Sequence, residues 1–141
     1  MIKVKITKYF FQTKKIINLL NELYPEKSYT ELKKGLCLLK KNQDFYLLTA
    51  SNNQELIAIA CLHSGYLLYC AKYLQISSLY IKPNFRNLGI AQKFFEQTEK
   101  IAHKTNCNQI VLDSYITNNN SHKTYYRENF SINAYHFVKK L

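Results

Sequence analysis

Hydrophobic and polar residues follow two different periods along this chain. In Ile2–Ile6 apolar and polar residues alternate, which predicts a strand. Apolar residues then recur at helical spacing in Gln12–Leu23, which predicts a first helix. Ser28 and Glu31 have the spacing of a capping box, in which each side chain satisfies a backbone N–H at the start of a helix. A second helix is therefore predicted from this pair to about Lys41.

The middle of the chain is a series of apolar segments separated by residues that favour turns. Phe45–Ala50 and Leu56–Leu62 flank the Ser-Asn-Asn sequence at 51–53, so we expect an antiparallel hairpin. A further turn is predicted at Ser64-Gly65. After that turn the pattern predicts two more strand segments, Tyr66–Ala71 and Tyr73–Ile81.

The last third of the chain alternates between helical and extended patterns. Gly89–Lys104 carries an apolar stripe at intervals of three to four residues and is predicted to be an amphipathic helix. Gln109–Asp113 is predicted to be a buried strand, parallel to the strand ending at Ile81 through a right-handed crossover. The remaining predictions are a loop at 118–120, a short helix over Ser121–Asn129 and a last strand over Ile132–Val138. This order predicts an α/β fold with a mixed sheet and helices on both faces.

Composition limits the protein class. The 141 residues suit a single domain, and 47% hydrophobic residues with only 3 Gly and 2 Pro are typical of a globular protein. The longest apolar runs are too short to cross a bilayer, and the first residues lack the apolar core of a signal peptide. We therefore expect a cytoplasmic protein without membrane attachment.

Cysteines and basic residues add two weaker indications. The four cysteines are widely spaced in apolar segments, which favours buried free thiols over a disulfide: Cys37, Cys61, Cys70 and Cys107. The formal charge of +11 raises the possibility of nucleic-acid binding, but the basic residues are scattered and no nucleic-acid motif accompanies them. A solvated surface rich in lysine is the favoured interpretation, and it also suits a cofactor with several phosphates.

The segment Leu79–Ala91 carries the clearest chemical signal. It predicts a strand, a tight turn and the first residues of a helix, where unpaired backbone N–H groups attract phosphate. The turn lacks the Lys-Ser/Thr ending of a P-loop and the three glycines of the dinucleotide fingerprint. Instead it reads Arg86-x-x-Gly89-x-Ala91, which resembles the acyl-CoA-binding motif of the Gcn5-related N-acetyltransferases, the GNAT family.

A second motif of that family lies further along the chain. Asn118, Ser121 and Tyr125 fall on the family's Asn, Ala and Tyr positions, and Asn129-Phe130 falls on its Gly-Phe. Asparagine can replace glycine there because both residues adopt the left-handed conformation that closes a helix. The resemblance implies a single GNAT-type domain over residues 1–141, with a mostly antiparallel sheet and a splayed parallel strand pair at the acyl-CoA site.

The resemblance also implies roles for individual residues. Acetyl-CoA is the cosubstrate, and its pyrophosphate is expected over the amides of the turn: Arg86, Asn87, Leu88, Gly89, Ile90, Ala91 and Gln92. The backbone of Leu79, Tyr80 and Ile81 is expected to bind the pantetheine arm and to polarise the thioester carbonyl. Asn118 is a further cofactor contact, and Tyr125 is the expected general acid for the thiolate. The alternatives are a plain loop at Arg86 and a packing role for Tyr125 or its neighbour Tyr126.

The chain departs from the family at the expected general base. Many members carry a Glu or Asp just before the cofactor strand, where this chain has Ser77 and Ser78. An alkylamine with a pKa of ~10.4 is mostly protonated at pH 7, so some group must help to remove its proton. Asp113, His63 and His136 are candidates, and the base stays unassigned. Cys61 and His63 alone make too small a ligand set for a metal, so no metal site is predicted.

Three functions follow from these observations. The leading one is transfer of an acetyl group to a primary amine of a small molecule or peptide by direct attack. The missing carboxylate motivates the second, a CoA-binding protein with impaired catalysis, and the charge alone motivates the third, a nucleic-acid-binding module. The small number of acidic residues disfavours a polycationic acceptor. A monomer or a homodimer is expected.

Overall fold

The computed structural model describes residues 2–7 and 13–141 of the chain. Gln12, the predicted first residue of the first helix, lies outside this range. The chain divides into two compact units, Met1–Val111 and Leu112–Leu141. The strands are β1 (Ile2–Thr7), β2 (Phe45–Asn52), β3 (Glu55–Leu67), β4 (Ala71–Ile81) and β5 (Gln109–Leu112). The helices are α1 (Thr13–Leu23), α2 (Tyr29–Leu39), α3 (Ile90–Lys104) and α4 (Asn119–Arg127).

The strands form one sheet in the order β1-β2-β3-β4-β5. β1 to β4 are antiparallel neighbours, and the β2–β3 hairpin turns at Asn53, whose φ of 54° is left-handed. β5 lies beside β4 although α3 separates them in the sequence. The prediction of a mixed sheet with a crossover helix is confirmed. The splay between the last two strands stays a prediction.

The core of the first unit lies on both faces of the sheet. Every residue of β3 from Ile57 to Leu62 is buried, and successive strand residues point to opposite faces. α1 and α2 cover one face, where Ile17 and Leu36 pack with Ile59 and Cys61. α3 packs against β1, β3 and β4 through a stripe that includes Phe94.

The capping box predicted for the second helix is present. Ser28 Oγ accepts from the Glu31 N–H at 3.2 Å, and Glu31 Oε2 accepts from the Ser28 N–H at 2.8 Å. This hydrogen bond to the Ser28 backbone is also the main reason that the pKa of Glu31 is lowered. The helix ends at Leu39, slightly earlier than the predicted Lys41.

The predicted turn at Ser64-Gly65 is wrong. Both residues lie within β3, which continues to Leu67, and the turn occurs at residues 68–70. Gly65 pairs with Tyr73 of β4, and a Cβ on Gly65 would overlap the Tyr73 ring. The glycine therefore makes room for a cross-strand aromatic ring, which is a recurrent use of glycine inside a sheet.

Two glycine substitutions are expected to change stability in opposite directions. Gly65→Ala displaces the hydroxyl end of the half-buried Tyr73 ring and should cost about 1 kcal/mol, the low end of the range for overpacking. Gly35 lies in α2 with open space around its Cβ position, so Gly35→Ala should stabilise by about 0.5 to 1 kcal/mol. Thermal unfolding of both variants measures the difference. A Gly65→Ala midpoint at or above that of the wild type would contradict the packing argument.

The second unit contains less regular structure than the sequence predicts. Residues 132–138 form no strand, and Tyr135, Phe137 and Val138 are largely exposed. Alternation alone cannot make a strand, because a strand also needs a hydrogen-bonding partner. β5 ends at Leu112 and is half-buried instead of buried, and the predicted loop residues Asn119 and Asn120 begin α4.

The expected buried thiols are found at one position only. All four cysteines are free, but Cys61 alone is buried, Cys37 is exposed, and Cys70 and Cys107 are half-buried. Burial raises the pKa of the Cys61 thiol to about 12, so this group stays neutral. None of the helices in the described ranges has the length and apolar character needed to cross a bilayer.

Candidate active site

A compact turn joins the end of β4 to α3. Lys82 is followed by one turn of 3₁₀ helix, Pro83–Phe85, closed by the Phe85 N–H to Lys82 O hydrogen bond at 2.9 Å. The chain then passes through two left-handed residues, Asn87 with a φ of 62° and Gly89 with a φ of 73°. Closely spaced left-handed residues turn successive N–H groups toward one side, which makes an anion-binding concavity.

The first amides of α3 add donors to this concavity. Gly89 is the N-terminal cap residue, and Lys93 is the first residue whose N–H reaches it, at 3.1 Å. Within the described part of the chain, the N–H groups of Ile90, Ala91 and Gln92 have no backbone acceptor. Because these donors lie at the positive end of the helix dipole, the turn is suited to bind phosphate. The predicted helix start is confirmed.

Arg86 adds a positive charge beside the turn. Its Nε donates to Ile81 O at 3.1 Å, which holds the guanidinium next to the end of β4. Lys82 cannot play the same role, because its ammonium pairs with Glu55 at 2.8 Å and Glu22 at 3.7 Å. The hydrogen bond to Glu55 is the main reason that the pKa of Lys82 is raised.

The strand that leads into this turn contains a β-bulge. Cys61 of β3 pairs with Ser78 and Leu62 pairs with Ile76, so Ser77 is the extra residue. Ser77 Oγ donates to Cys61 O at 3.2 Å across the bulge. Bulges are common beside active sites because they change the direction of a side chain. Leu79, Tyr80 and Ile81 follow directly and complete β4. Their role in cofactor binding stays a prediction.

Beyond the bulge, alternate side chains of β4 contact the end of α1. The Tyr24 hydroxyl lies 2.8 Å from Ser78 Oγ, and Tyr80 Oη donates to Glu22 Oε2 at 3.0 Å. Burial, followed by the hydrogen bond to Glu22, raises the pKa of Tyr80. Tyr24 and Glu22 were not identified from the sequence. The period of two along β4 places Ser78, Tyr80 and Lys82 on one face, but nothing in the sequence names the helix residues opposite.

In the second unit, α4 ends in a Schellman motif. The Phe130 N–H reaches Tyr125 O at 3.0 Å, and the Asn129 N–H reaches Tyr126 O at 3.1 Å. Asn129 has a φ of 62°, so the prediction that asparagine replaces the family's glycine in a left-handed conformation is confirmed. The motif brings the Phe130 ring to Tyr125, with ring centroids 6.1 Å apart and planes at 64°.

Tyr125 of α4 is half-buried. Burial raises the pKa of its phenol, and the hydroxyls of Ser121 and Ser114 partly oppose this shift. Ser114 Oγ is buried, yet no partner among the described residues has good hydrogen-bond geometry toward it. A phenol is protonated at neutral pH, as a proton donor must be, and the upward shift of its pKa preserves this state.

Asn118 precedes α4, but its side chain makes no capping hydrogen bond. The Asn118 N–H reaches Tyr115 O at 2.9 Å, and Asn118 O accepts from the His122 N–H at 3.1 Å. The role of Asn118 in cofactor binding stays a prediction.

The three histidine and aspartate candidates for the base lie in different environments. Asp113 and His136 pair with each other at 3.2 Å, and both side chains are more than half exposed. His63 lies on β3, and its Nδ1 is buried without a partner among the described residues. No group of three or more potential metal-binding side chains occurs in the described ranges. None of these observations selects one of the three as a base.

A family model and several solved structures match this chain. The model of the acetyltransferase (GNAT) family matches residues 10–130. No curated protein sequence matches the chain. The structure of AAC(6')-Iy in complex with the bisubstrate analogue CoA-S-monomethyl-acetylneamine is similar, with a TM-score of 0.88 and 14% identity over 100% of this chain and 99% of that one.

Two further structures show the same fold. Aminoglycoside antibiotic 6'-N-acetyltransferase AAC(6')-Ih from Acinetobacter baumannii has a TM-score of 0.83 and 19% identity over 100% and 99% of the two chains. Ribosomal-protein-alanine N-acetyltransferase from Brucella melitensis biovar Abortus 2308 has a TM-score of 0.81 and 13% identity over 100% of both. At these identities the likeness concerns the fold. The family match covers most of the sequence, so the chain belongs to the GNAT acetyltransferases and is an acetyl-CoA-dependent N-acetyltransferase.

Proposed function

We propose that this protein transfers the acetyl group of acetyl-CoA to the primary amine of a small molecule or peptide. The observation that carries the proposal is the turn at Asn87 and Gly89, where left-handed residues and the first amides of α3 present unpaired donors. Such a turn binds a pyrophosphate through fixed dipoles. The guanidinium of Arg86 adds a positive charge that attracts the pyrophosphate.

The remaining cofactor contacts follow from the same placement. A CoA molecule held at the turn extends its pantetheine arm along the backbone of Leu79, Tyr80 and Ile81, whose peptide groups pair with its amides as an added strand would. A strand N–H near the thioester then polarises its carbonyl and stabilises the oxyanion that forms on attack. Asn118 is a further contact in this proposal.

The reaction is a direct attack without a covalent enzyme intermediate. The neutral amine nitrogen bonds to the thioester carbon, the C–S bond breaks, and the nitrogen loses a proton while the CoA thiolate gains one. Tyr125 donates a hydrogen bond to the departing thiolate. Full proton transfer from a phenol of pKa ~10 to the thiolate of a thiol of pKa ~8.5 is uphill by about 2 kcal/mol. A proton from the amine therefore replaces the one that Tyr125 donates.

The charge distribution favours an acceptor with one amine over a polycation. The chain has 9 acidic residues against 20 basic ones. Four of the acidic residues are paired with the protein's own lysines, and Asp113 contacts His136: the four are Glu22, Glu31, Asp44 and Glu55. A polycationic acceptor needs several carboxylates facing it, because a single exposed ion pair contributes little free energy. Aminoglycosides are therefore a weaker proposal than a monoamine or a peptide N-terminus.

An amine panel tests the proposal. Thiol release from acetyl-CoA is followed with simple monoamines, a peptide with an N-terminal alanine, and neamine, and the signal is corrected for the protein's four cysteines. Saturable release with a monoamine or the peptide supports the proposal. Tight CoA binding without release by any amine would instead favour a CoA-binding protein with impaired catalysis, which the serines at 77 and 78 motivate.

A further inference from the structure

Beside the bulge in β4, two hydroxyl groups that have no part in the reaction described above lie in contact. The Tyr24 hydroxyl lies 2.8 Å from Ser78 Oγ and 3.5 Å from Ser77 O. Tyr24 follows the last residue of α1, and Ser78 directly precedes the cofactor strand. The pair therefore occupies the strand position where the family resemblance leads us to expect a carboxylate.

The contact is built into the fold of the first unit. The Tyr24 side chain is partly buried and packs against the cluster of buried residues formed by α1, α2 and the sheet. Cys61 pairs with Ser78 in the strand register, and Ser77 Oγ closes the bulge on Cys61 O. Both hydroxyls are thus attached to rigid elements, and both side chains are half-buried. A pair held by two rigid elements keeps its geometry while a substrate binds.

We propose that Tyr24 and Ser78 take the place of the missing carboxylate and carry the proton away from the acceptor amine, a role that rests on the proposed function. A protonated amine gives its proton to one hydroxyl oxygen, that hydroxyl passes its own proton to the other, and the second releases a proton to water. The neutral amine then attacks the thioester. Neither hydroxyl changes its charge overall.

The surroundings of the pair fit a neutral relay. The nearest titratable groups are the Cys61 thiol, which interacts with Ser78 from β3, and the Tyr80 phenol two residues further along β4, which donates to the Glu22 carboxylate of α1. Cys61 stays neutral, and Glu22 is engaged by Tyr80 and Lys82. A relay of hydroxyls needs no ionised group of its own, and it makes the rate depend on how fast protons reach solvent.

Two nearly isosteric substitutions test the relay. Tyr24→Phe and Ser78→Ala are each expected to lower kcat/KM for the best amine of the panel by about a hundredfold. The dissociation constant of CoA should stay within about twofold. Since the two hydroxyls act as a unit, the double variant should lose no more than either single one. Ser78→Thr keeps the hydroxyl and should retain activity, and Tyr29→Phe removes an exposed hydroxyl outside the pair and should change nothing.

Buffer rescue separates a relay from a merely structural contact. In the single variants kcat/KM should rise with imidazole concentration at constant pH, because a small base replaces the lost hydroxyl, while the wild type stays unchanged. Unaltered kcat/KM in both variants, multiplicative losses in the double variant, or losses without imidazole rescue would each overturn the inference. Absence of turnover by the wild type with every amine would remove the proposed function as well.

Discussion

Tyr125→Phe is expected to lower kcat by about one to two orders of magnitude while CoA binds almost as before. The substitution removes one hydroxyl from a half-buried ring and leaves the edge contact with Phe130 in place. A hydrogen bond to a charged group contributes about 1.5 to 3 kcal/mol, and the thiolate acquires its charge only as the C–S bond breaks. The loss therefore falls on kcat, and the dissociation constant of CoA should change by less than about threefold.

The adjacent tyrosine provides the matched control. Tyr126 is 54% exposed, so Tyr126→Phe should retain the wild-type kcat. Turnover assays with saturating acetyl-CoA measure the effect on kcat, and calorimetric titration with CoA measures the effect on its dissociation constant. Equal kcat values for the wild type and Tyr125→Phe would remove Tyr125 from its proposed role and leave it a packing residue.

The pH dependence of the wild type supplies a second check on the same residue. Burial raises the pKa of the Tyr125 phenol above its ordinary value of ~10, so the group is protonated throughout the neutral range. A decline of kcat caused by loss of this proton should therefore begin only above about pH 10. A decline that begins near pH 8 and persists in Tyr125→Phe would have to be assigned to another group.

Local sequence rules predicted the two motifs well because the motifs are themselves local. The turn at Gly89 and the helix end at Asn129 both depend on left-handed backbone, and glycine and asparagine are the residues that adopt it. The chain has only 3 glycines, and four of its five non-glycine left-handed residues among the described ones are asparagines: Asn53, Asn87, Asn106 and Asn129. Asparagine therefore takes over turn positions that glycine usually occupies.

Contacts between distant residues could not be predicted in the same way. Tyr24 and Ser78 are 54 residues apart, and their contact depends on how the end of α1 lies on a bulged strand. The sequence around Gly65 predicted a turn because glycine commonly marks one. In the structure this glycine instead makes room for the ring of Tyr73. Residues 132–138 alternate as a strand does but lack strand pairing. In each case the deciding partner lies elsewhere in the chain.

Gly89→Val is expected to weaken CoA binding at least tenfold, because the turn depends on a left-handed residue at this position. Gly89 has a φ of 73°, and a Cβ there would meet nothing within 4 Å, so the glycine is needed for its backbone angle and not for space. A left-handed angle costs an L-residue roughly 1 to 2 kcal/mol, and a β-branched residue is a true outlier there. The valine variant must either store this strain or move the amides of Ile90–Gln92 away from the phosphate.

Gly89→Asn is the matched variant, since asparagine already adopts a left-handed angle two residues earlier at Asn87. It should bind CoA within about threefold of the wild type, because the side chain has open space and the backbone angle is tolerated. Calorimetric titration with CoA and with a CoA analogue lacking the pyrophosphate distinguishes the two variants. The valine substitution should reduce affinity for CoA and leave affinity for the analogue nearly unchanged. Equal CoA affinities for the valine and asparagine variants, with equal unfolding midpoints, would show that the left-handed turn does not determine cofactor binding.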